Sequence, residues 1–96
     1  MSRGVVLRVP RALSGDLDGH REVVLPVPAD GRLDGLLDGL RAAHPALARR
    51  LRDETGRLRR FVNLYLDGLD VRGIDGLATP VREGQTVEVV QSVAGG

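Results

Sequence analysis

Apolar positions along the chain repeat with two different periods. Val5-Val6-Leu7-Arg8-Val9 is a short apolar run stopped by Pro10 and reads as a strand. Glu22-Val23-Val24-Leu25-Pro26-Val27 is a second run. Proline has no backbone donor, so Pro26 puts this strand at a sheet edge or ends it there. Between the two, Ser14-Gly15-Asp16 and Asp18-Gly19 are turn formers, and Arg11 to His20 reads as a long hairpin loop. The period then changes. Asp30 is the expected N-cap, and Leu33, Leu36, Leu37 and Leu40 follow at helical spacing on one face. Gly35 and Gly39 sit near the opposite side, each costing about 1 kcal/mol of helix propensity against alanine, with no reason visible in the sequence. His44-Pro45 ends this helix, and Pro45 opens a short second one in which Leu47 and Leu51 continue the apolar stripe.

Alternation returns at Phe61-Val62-Asn63-Leu64-Tyr65-Leu66, where Val62, Leu64 and Leu66 share one face and Phe61, Asn63 and Tyr65 the other. Asp67-Gly68 marks a turn. Asp70 to Thr79 reads as irregular, with Val71, Ile74 and Leu77 available to close the edge of the core. Glu83-Gly84 marks another turn, and Thr86-Val87-Glu88-Val89-Val90 is the last strand. The order predicts an α+β domain over residues 1–91, a small mixed sheet covered on one face by one main helix, followed by a flexible tail over 92–96. The helix makes the crossover, so the first and last strands, if neighbours, run parallel.

Composition narrows the chemistry. A chain of 96 residues fits one core, and 42% hydrophobic with 28% charged residues is ordinary globular composition. There is no cysteine, which excludes disulfides, thiolate metal sites and a thiol nucleophile. All 14 basic residues are arginine, which excludes a phosphate-loop lysine, a Schiff-base lysine and isopeptide acceptance on a side chain. The net charge of +1 creates no global field for nucleic acid. No apolar run approaches a membrane span and no signal-peptide core opens the chain, so no membrane partner and a cytoplasmic location are expected. His20 and His44 read as loop and helix-end residues. Asp16 with Asp18, and Asp67 with Asp70, read as solvated turn residues rather than calcium loops. No metal site and no catalytic residue are expected.

Three features remain. Arg49, Arg50, Arg52, Arg57, Arg59 and Arg60 form a basic stretch, which reads as a solvated helix end, as a docking patch for an acidic partner, or, with aromatics nearby, as a nucleic-acid contact. Phe61 and Tyr65, on the strand face opposite Val62, read as surface aromatics or as anchors for a protein partner. Finally the sequence reads Val93-Ala94-Gly95-Gly96 after the last strand. Two residues without Cβ make a thin, pliable thread able to enter a narrow tunnel, with a carboxylate at its tip that becomes an acyl donor once activated.

Phe61-Val62-Asn63, Leu77-Ala78-Thr79-Pro80-Val81-Arg82-Glu83-Gly84-Gln85-Thr86-Val87 and the ending Val93-Ala94-Gly95-Gly96 resemble the ubiquitin-like sulfur carriers of the MoaD/ThiS family. Arg60 to Tyr65, with Asp70-Val71-Arg72 and Gly76-Leu77-Ala78-Thr79, is most similar to the actinobacterial branch that supplies sulfur for cysteine biosynthesis. The resemblance implies a β-grasp fold and a carrier rather than an enzyme. It also implies a cycle: an E1-like adenylating enzyme activates Gly96 with ATP, a sulfur donor converts the acyl-adenylate to a thiocarboxylate, and a sulfur-accepting synthase takes the sulfur. No cofactor is bound by the carrier itself; ATP and the sulfur donor belong to its partners. By the same carry-over Val93, Ala94 and Gly95 form the tail, and Phe61 and Tyr65 fall on the sheet face used for partner docking. Many relatives place proline just before the tail, where this chain has Gln91-Ser92, which implies a more mobile tail. The alternatives within the resemblance are the small subunit of a molybdopterin synthase and a ubiquitin-like protein modifier; outside it stands an interaction module with an unreactive end.

Overall fold

The computed structural model describes residues 4–92. Strands β1 (Val5–Arg8) and β2 (Glu22–Leu25) pair antiparallel, Val5 opposite Leu25 and Arg8 opposite Glu22. Helices α1 (Leu33–Ala43) and α2 (Pro45–Leu51) follow, then β3 (Val62–Leu66), the two-residue β4 (Leu69–Asp70) and β5 (Thr86–Gln91). The sheet order is β2-β1-β5-β3-β4. β5 lies parallel to β1, with Leu7 opposite Val87, and antiparallel to β3, with Leu64 opposite Val89. This is the β-grasp arrangement, with the first and last strands side by side and parallel as the helical crossover requires. β2, the strand that Pro26 closes, is an edge strand.

The core lies between the sheet and the helices. Val5, Leu7, Val62, Leu64, Leu66, Val87 and Val89 point to it from the strands, and Leu33, Leu36, Leu37, Leu40, Leu47 and Leu51 from the helices. Leu7, Leu36, Leu40 and Leu64 are inaccessible to solvent. Buried apolar surface of this kind supplies most of the drive to fold.

Three local expectations are corrected. Arg11–Leu17 is a 3-10 helix rather than an open loop, because Leu13 and Leu17, four apart, both reach the core. The N-cap of α1 is Arg32, not Asp30; Asp30 sits two residues earlier and its carboxylate accepts the Arg32 N–H at 3.0 Å. That carboxylate fills the space beside Gly35, where a Cβ would overlap it, which supplies the missing reason for one helix glycine. Ile74 does not close the core: it is 42% exposed, while Val71 and Val81 are buried. As expected, the second helix opens at Pro45: α2 packs on α1 through Leu47 and Leu51, and Arg52 clasps the two. The Arg52 guanidinium donates to Asp34 at 2.9 Å and Asp38 at 2.7 Å, two carboxylates one turn apart on α1.

Two connections place the ends of the strands. Asp67 and Gly68 both have positive φ, the backbone of a tight hairpin turn, and turn β3 back into β4. Asp67 also binds the start of β5, its carboxylate accepting the Thr86 N–H at 2.9 Å. At the start of α1, Leu33 N–H donates to the Thr79 carbonyl and Val81 N–H to that of Gly31. Thr79, the buried polar residue, is satisfied because its hydroxyl accepts the Asp75 N–H.

Candidate functional site

Strand alternation puts a second set of side chains on the face away from the helices. Register aligns Glu22, Arg8, Glu88, Tyr65 and Asp70 in one row across all five strands. The row sets three acids, Glu22, Glu88 and Asp70, around Arg8 and Tyr65, and Glu22 and Asp70 are partnered locally. Arg8 Nε donates to Glu22 at 2.7 Å. The Arg72 side chain, and then its backbone N–H, hold the Asp70 carboxyl below the usual carboxylate range. Tyr65 is half-buried in this row. Val6 and Val24 lie on the same face, Val24 half exposed.

Phe61 stands one residue before β3 and is 39% exposed. The Arg60 guanidinium lies over its ring, 5.5 Å from the centroid, in a cation–π arrangement. Phe61 and Tyr65 are therefore separated. Tyr65 belongs to the charged row, and Phe61 borders a shallow groove of about 600 Å³ lined by Pro10, Arg21, Glu88, Val90, Gln91 and Ser92. The Arg21 Nε donates to the Val9 carbonyl at 3.2 Å, which holds its head beside the groove.

The groove ends where β5 leaves the sheet. Gln91 pairs with Val62, and Ser92 N–H donates to the Phe61 carbonyl at 2.8 Å. Asn63 Nδ2 donates to the Ser92 hydroxyl at 3.3 Å. Gln91-Ser92 is thus a hydrogen-bonded end of strand, and a proline at 92 would lose the Phe61 bond. The expected tail residues Val93, Ala94, Gly95 and Gly96 lie outside the described residues. Pro10, Arg21, Val90 and Asn63 were not singled out from sequence. Their relation to Phe61 follows from the β3–β5 register, which the alternation of neither strand specifies.

The basic stretch splits. Arg50 pairs with Asp16 at 2.6 Å, and Arg52 with the α1 carboxylates. Arg59 donates through Nε to the Arg49 carbonyl. Asp53 accepts from the Thr55 hydroxyl and from the backbone N–H groups of Thr55 and Arg57, which folds the loop after α2. The Thr55 hydroxyl is the main cause of its lowered pKa. Among the described residues, no group of three or more acid, histidine or cysteine side chains is placed to hold a metal ion, and no helix is long and apolar enough to cross a membrane.

Comparison with known proteins gives four findings. The ThiS family profile matches residues 12–96. The sulfur carrier protein CysO of Mycobacterium tuberculosis is 35% identical over 95 residues, covering 96% of this chain and 98% of the relative. The small archaeal modifier protein 3 of Haloferax volcanii is 35% identical over 78 residues, 81% of this chain and 84% of the relative. Among solved structures, the crystal structure of the Amycolatopsis orientalis BexX/CysO complex contains a chain that matches with a TM-score of 0.84 at 29% identity, over 97% of this chain and all of that one. The curated relatives are named as carriers and a modifier, not as enzymes.

Proposed function

The chain belongs to the ThiS family, and from that premise we propose that it is a sulfur carrier acting through Gly96. An E1-like enzyme joins the Gly96 carboxylate to the AMP of ATP and releases pyrophosphate. A donor then delivers sulfur at the sulfide level; it attacks the acyl carbon, AMP leaves, and a thiocarboxylate remains. A synthase takes that sulfur into cysteine or another thio-metabolite. The cycle uses ATP and is set in the cytoplasm. Residues 1–91 serve as the folded handle and 92–96 as the arm, with Phe61 and Tyr65 on the docking face. The carrier contributes binding and delivery, and its partners contribute the chemistry.

The observation that carries this reading is the family match running to Gly96 itself, with CysO similar along nearly the whole chain. That a CysO of Amycolatopsis is found in complex with BexX supports a carrier that works by docking to a partner. The β5 register adds a physical reason: the bond from Ser92 to Phe61 fixes the root of the arm against the sheet.

Intact mass measurement after incubation with the cognate activating enzyme, ATP and sulfide tests the proposal. Exchange of one oxygen for sulfur at the C-terminus is expected. Exclusively free carboxylate overturns it. The similarity to the small archaeal modifier protein 3 favours one second reading, a modifier whose tail is joined to lysines of other proteins. Isopeptide conjugates in extracts of the native host, absent when Gly96 is deleted, would select it.

A further inference from the structure

Arginine is distributed unevenly along the axis of β5. Between Arg49 and Arg60 stand six arginines against two acids, and between Asp67 and Glu83 four acids against two arginines. The first segment leads into β3 beside the exit of β5, and the second surrounds the entrance of β5, where Asp67 binds Thr86. The molecule carries a net charge of only +1, yet the segment leading to the root is basic and the segment around the far end acidic.

Within the root end the arginines have different fates. Arg50 and Arg52 are consumed by Asp16, Asp34 and Asp38. Arg21, Arg59 and Arg60 are exposed. Arg21 and Arg59 are tethered only through Nε to backbone carbonyls, and Arg60 lies over the Phe61 ring. Among the described residues no carboxylate is within ion-pair distance of these three. Each is held in place with its terminal nitrogens uncommitted, the state in which arginine binds carboxylates in paired hydrogen bonds.

Reach makes this location consequential. Gly96 is four residue steps beyond Ser92, and an extended chain of that length spans at most about 14 Å. Any catalyst acting on Gly96 must come within that distance of Ser92, which itself borders the groove of Pro10, Arg21, Phe61, Glu88 and Val90. We propose that Arg21 and Arg60, which flank Phe61, form a collar at the tail root that docks an acidic rim around the active-site channel of the activating enzyme. The proposal rests on the carrier reading above. Phe61 supplies the apolar contact, and the collar supplies orientation and a faster encounter, because charges at a rim act on association more than on dissociation.

The test uses the full chain, its cognate activating enzyme and pyrophosphate release at varied carrier concentration. Arg21→Glu with Arg60→Glu is expected to raise KM for the carrier at least about tenfold with kcat little changed. Arg82→Glu at the far end should leave both constants alone. Wild-type KM should rise with added salt, and the double variant should lose that dependence. Should the double variant fold poorly, as urea unfolding would show, the wild-type salt dependence decides: a flat KM overturns the collar. An unchanged carrier KM in the folded double variant overturns it too, as does a raised KM for ATP alone, which would assign the arginines to nucleotide. Deleting Gly96 separates the two ideas. If deletion abolishes turnover while charge reversal does nothing, only the collar fails; if turnover survives deletion, the carrier reading fails.

Discussion

Neighbouring residues of β3 meet opposite surroundings. Val62, Leu64 and Leu66 press into a layer of leucines from α1 and α2, and Leu64 has no contact with solvent. Asn63 and Tyr65, one step along the same strand, lie on a face with no element packed over it among the described residues, in rows of charge and β-branched side chains. The chain closes the first face by itself: even the outer surface of the helices is fastened, by Arg52 across Asp34 and Asp38. The second face is satisfied only pairwise, through Arg8 with Glu22 and Arg72 with Asp70. An antiparallel or mixed sheet tolerates this because one covered face suffices for stability. The division leaves the open face, and the groove at its Phe61 end, uncovered among the described residues.

The largest effect should come from the closed face. Leu64→Ala removes a side chain packed on all sides and should cost about 2–5 kcal/mol, by lost transfer energy and by the cavity left behind. Tyr65→Ala, one residue on, should cost nearer 1 kcal/mol. Urea unfolding of both variants makes the comparison, and equal losses would mean that the open face is part of the core.

Ion pairs should repeat the contrast at smaller scale. The Arg52 side chain is only 10% exposed, although its carboxylate partners are half in solvent. Arg52→Met, which keeps the apolar stem, should cost about 1–2 kcal/mol, since hydrogen bonds between charged groups exceed neutral ones but lose strength where water reaches them. Arg8→Met breaks a pair that is nearly half exposed on both sides and should change stability by less than about 1 kcal/mol. A larger loss at Arg8 than at Arg52 would reverse the ranking of the two faces.

The helix glycines sharpen the closed side further. Nothing lies within reach of a Cβ at Gly39, so Gly39→Ala should raise stability by about 0.5–1 kcal/mol through helix propensity. At Gly35 the new methyl would displace the Asp30 carboxylate from the Arg32 N–H. That lost hydrogen bond, about 0.5–1.5 kcal/mol, offsets the same propensity gain, and Gly35→Ala should be neutral or destabilising. Matched thermal unfolding of the two variants separates them.

These two glycines show where sequence reasoning stops. Strand and helix positions were legible because burial follows period: the leucines at 33, 36, 37 and 40 and the valines and leucines of β3 lie where alternation puts them. The crossover forced β1 and β5 into parallel contact. What was not legible depends on contacts between distant segments. Asp30 has the residue type of an N-cap, and only the path of 28–32 shows that it bonds one position early. Leu13 and Leu17 lie among turn formers, and tertiary burial overrode that local signal. Of the candidate site, the sheet face of Phe61 and Tyr65 was readable from alternation. Their separation into a groove and a charged row needed the register of β3 against β5, and so did the gathering of Arg21 beside Phe61, forty residues away in sequence.

Acid should expose the smallest difference between the two sides. Asp53, in the loop after α2, and Asp70, in the open-face row, both titrate below 3.8, their ordinary value, mainly through the Thr55 hydroxyl and the Arg72 side chain respectively. The native state therefore favours the ionised carboxylates more than the unfolded chain does. Their contribution is complete above the unfolded value and is lost as pH falls through the lower folded values. Stability should hold level from neutrality to about pH 5 and decline below about pH 4. Both groups are solvent-accessible, so the decline belonging to either should be slight. Asp53→Asn and Asp70→Asn should each flatten part of the acid slope, at the expense of a lower plateau at neutral pH. Because the Asp53 bonds shape the loop that carries Arg57 and Arg59, its variant should also loosen that loop, visible as faster amide exchange over 53–60; the Asp70 variant should leave those amides unchanged. Stability that rises between about pH 4 and about pH 3 would contradict the assignment, for it would require these carboxyls to be easier to protonate folded than unfolded.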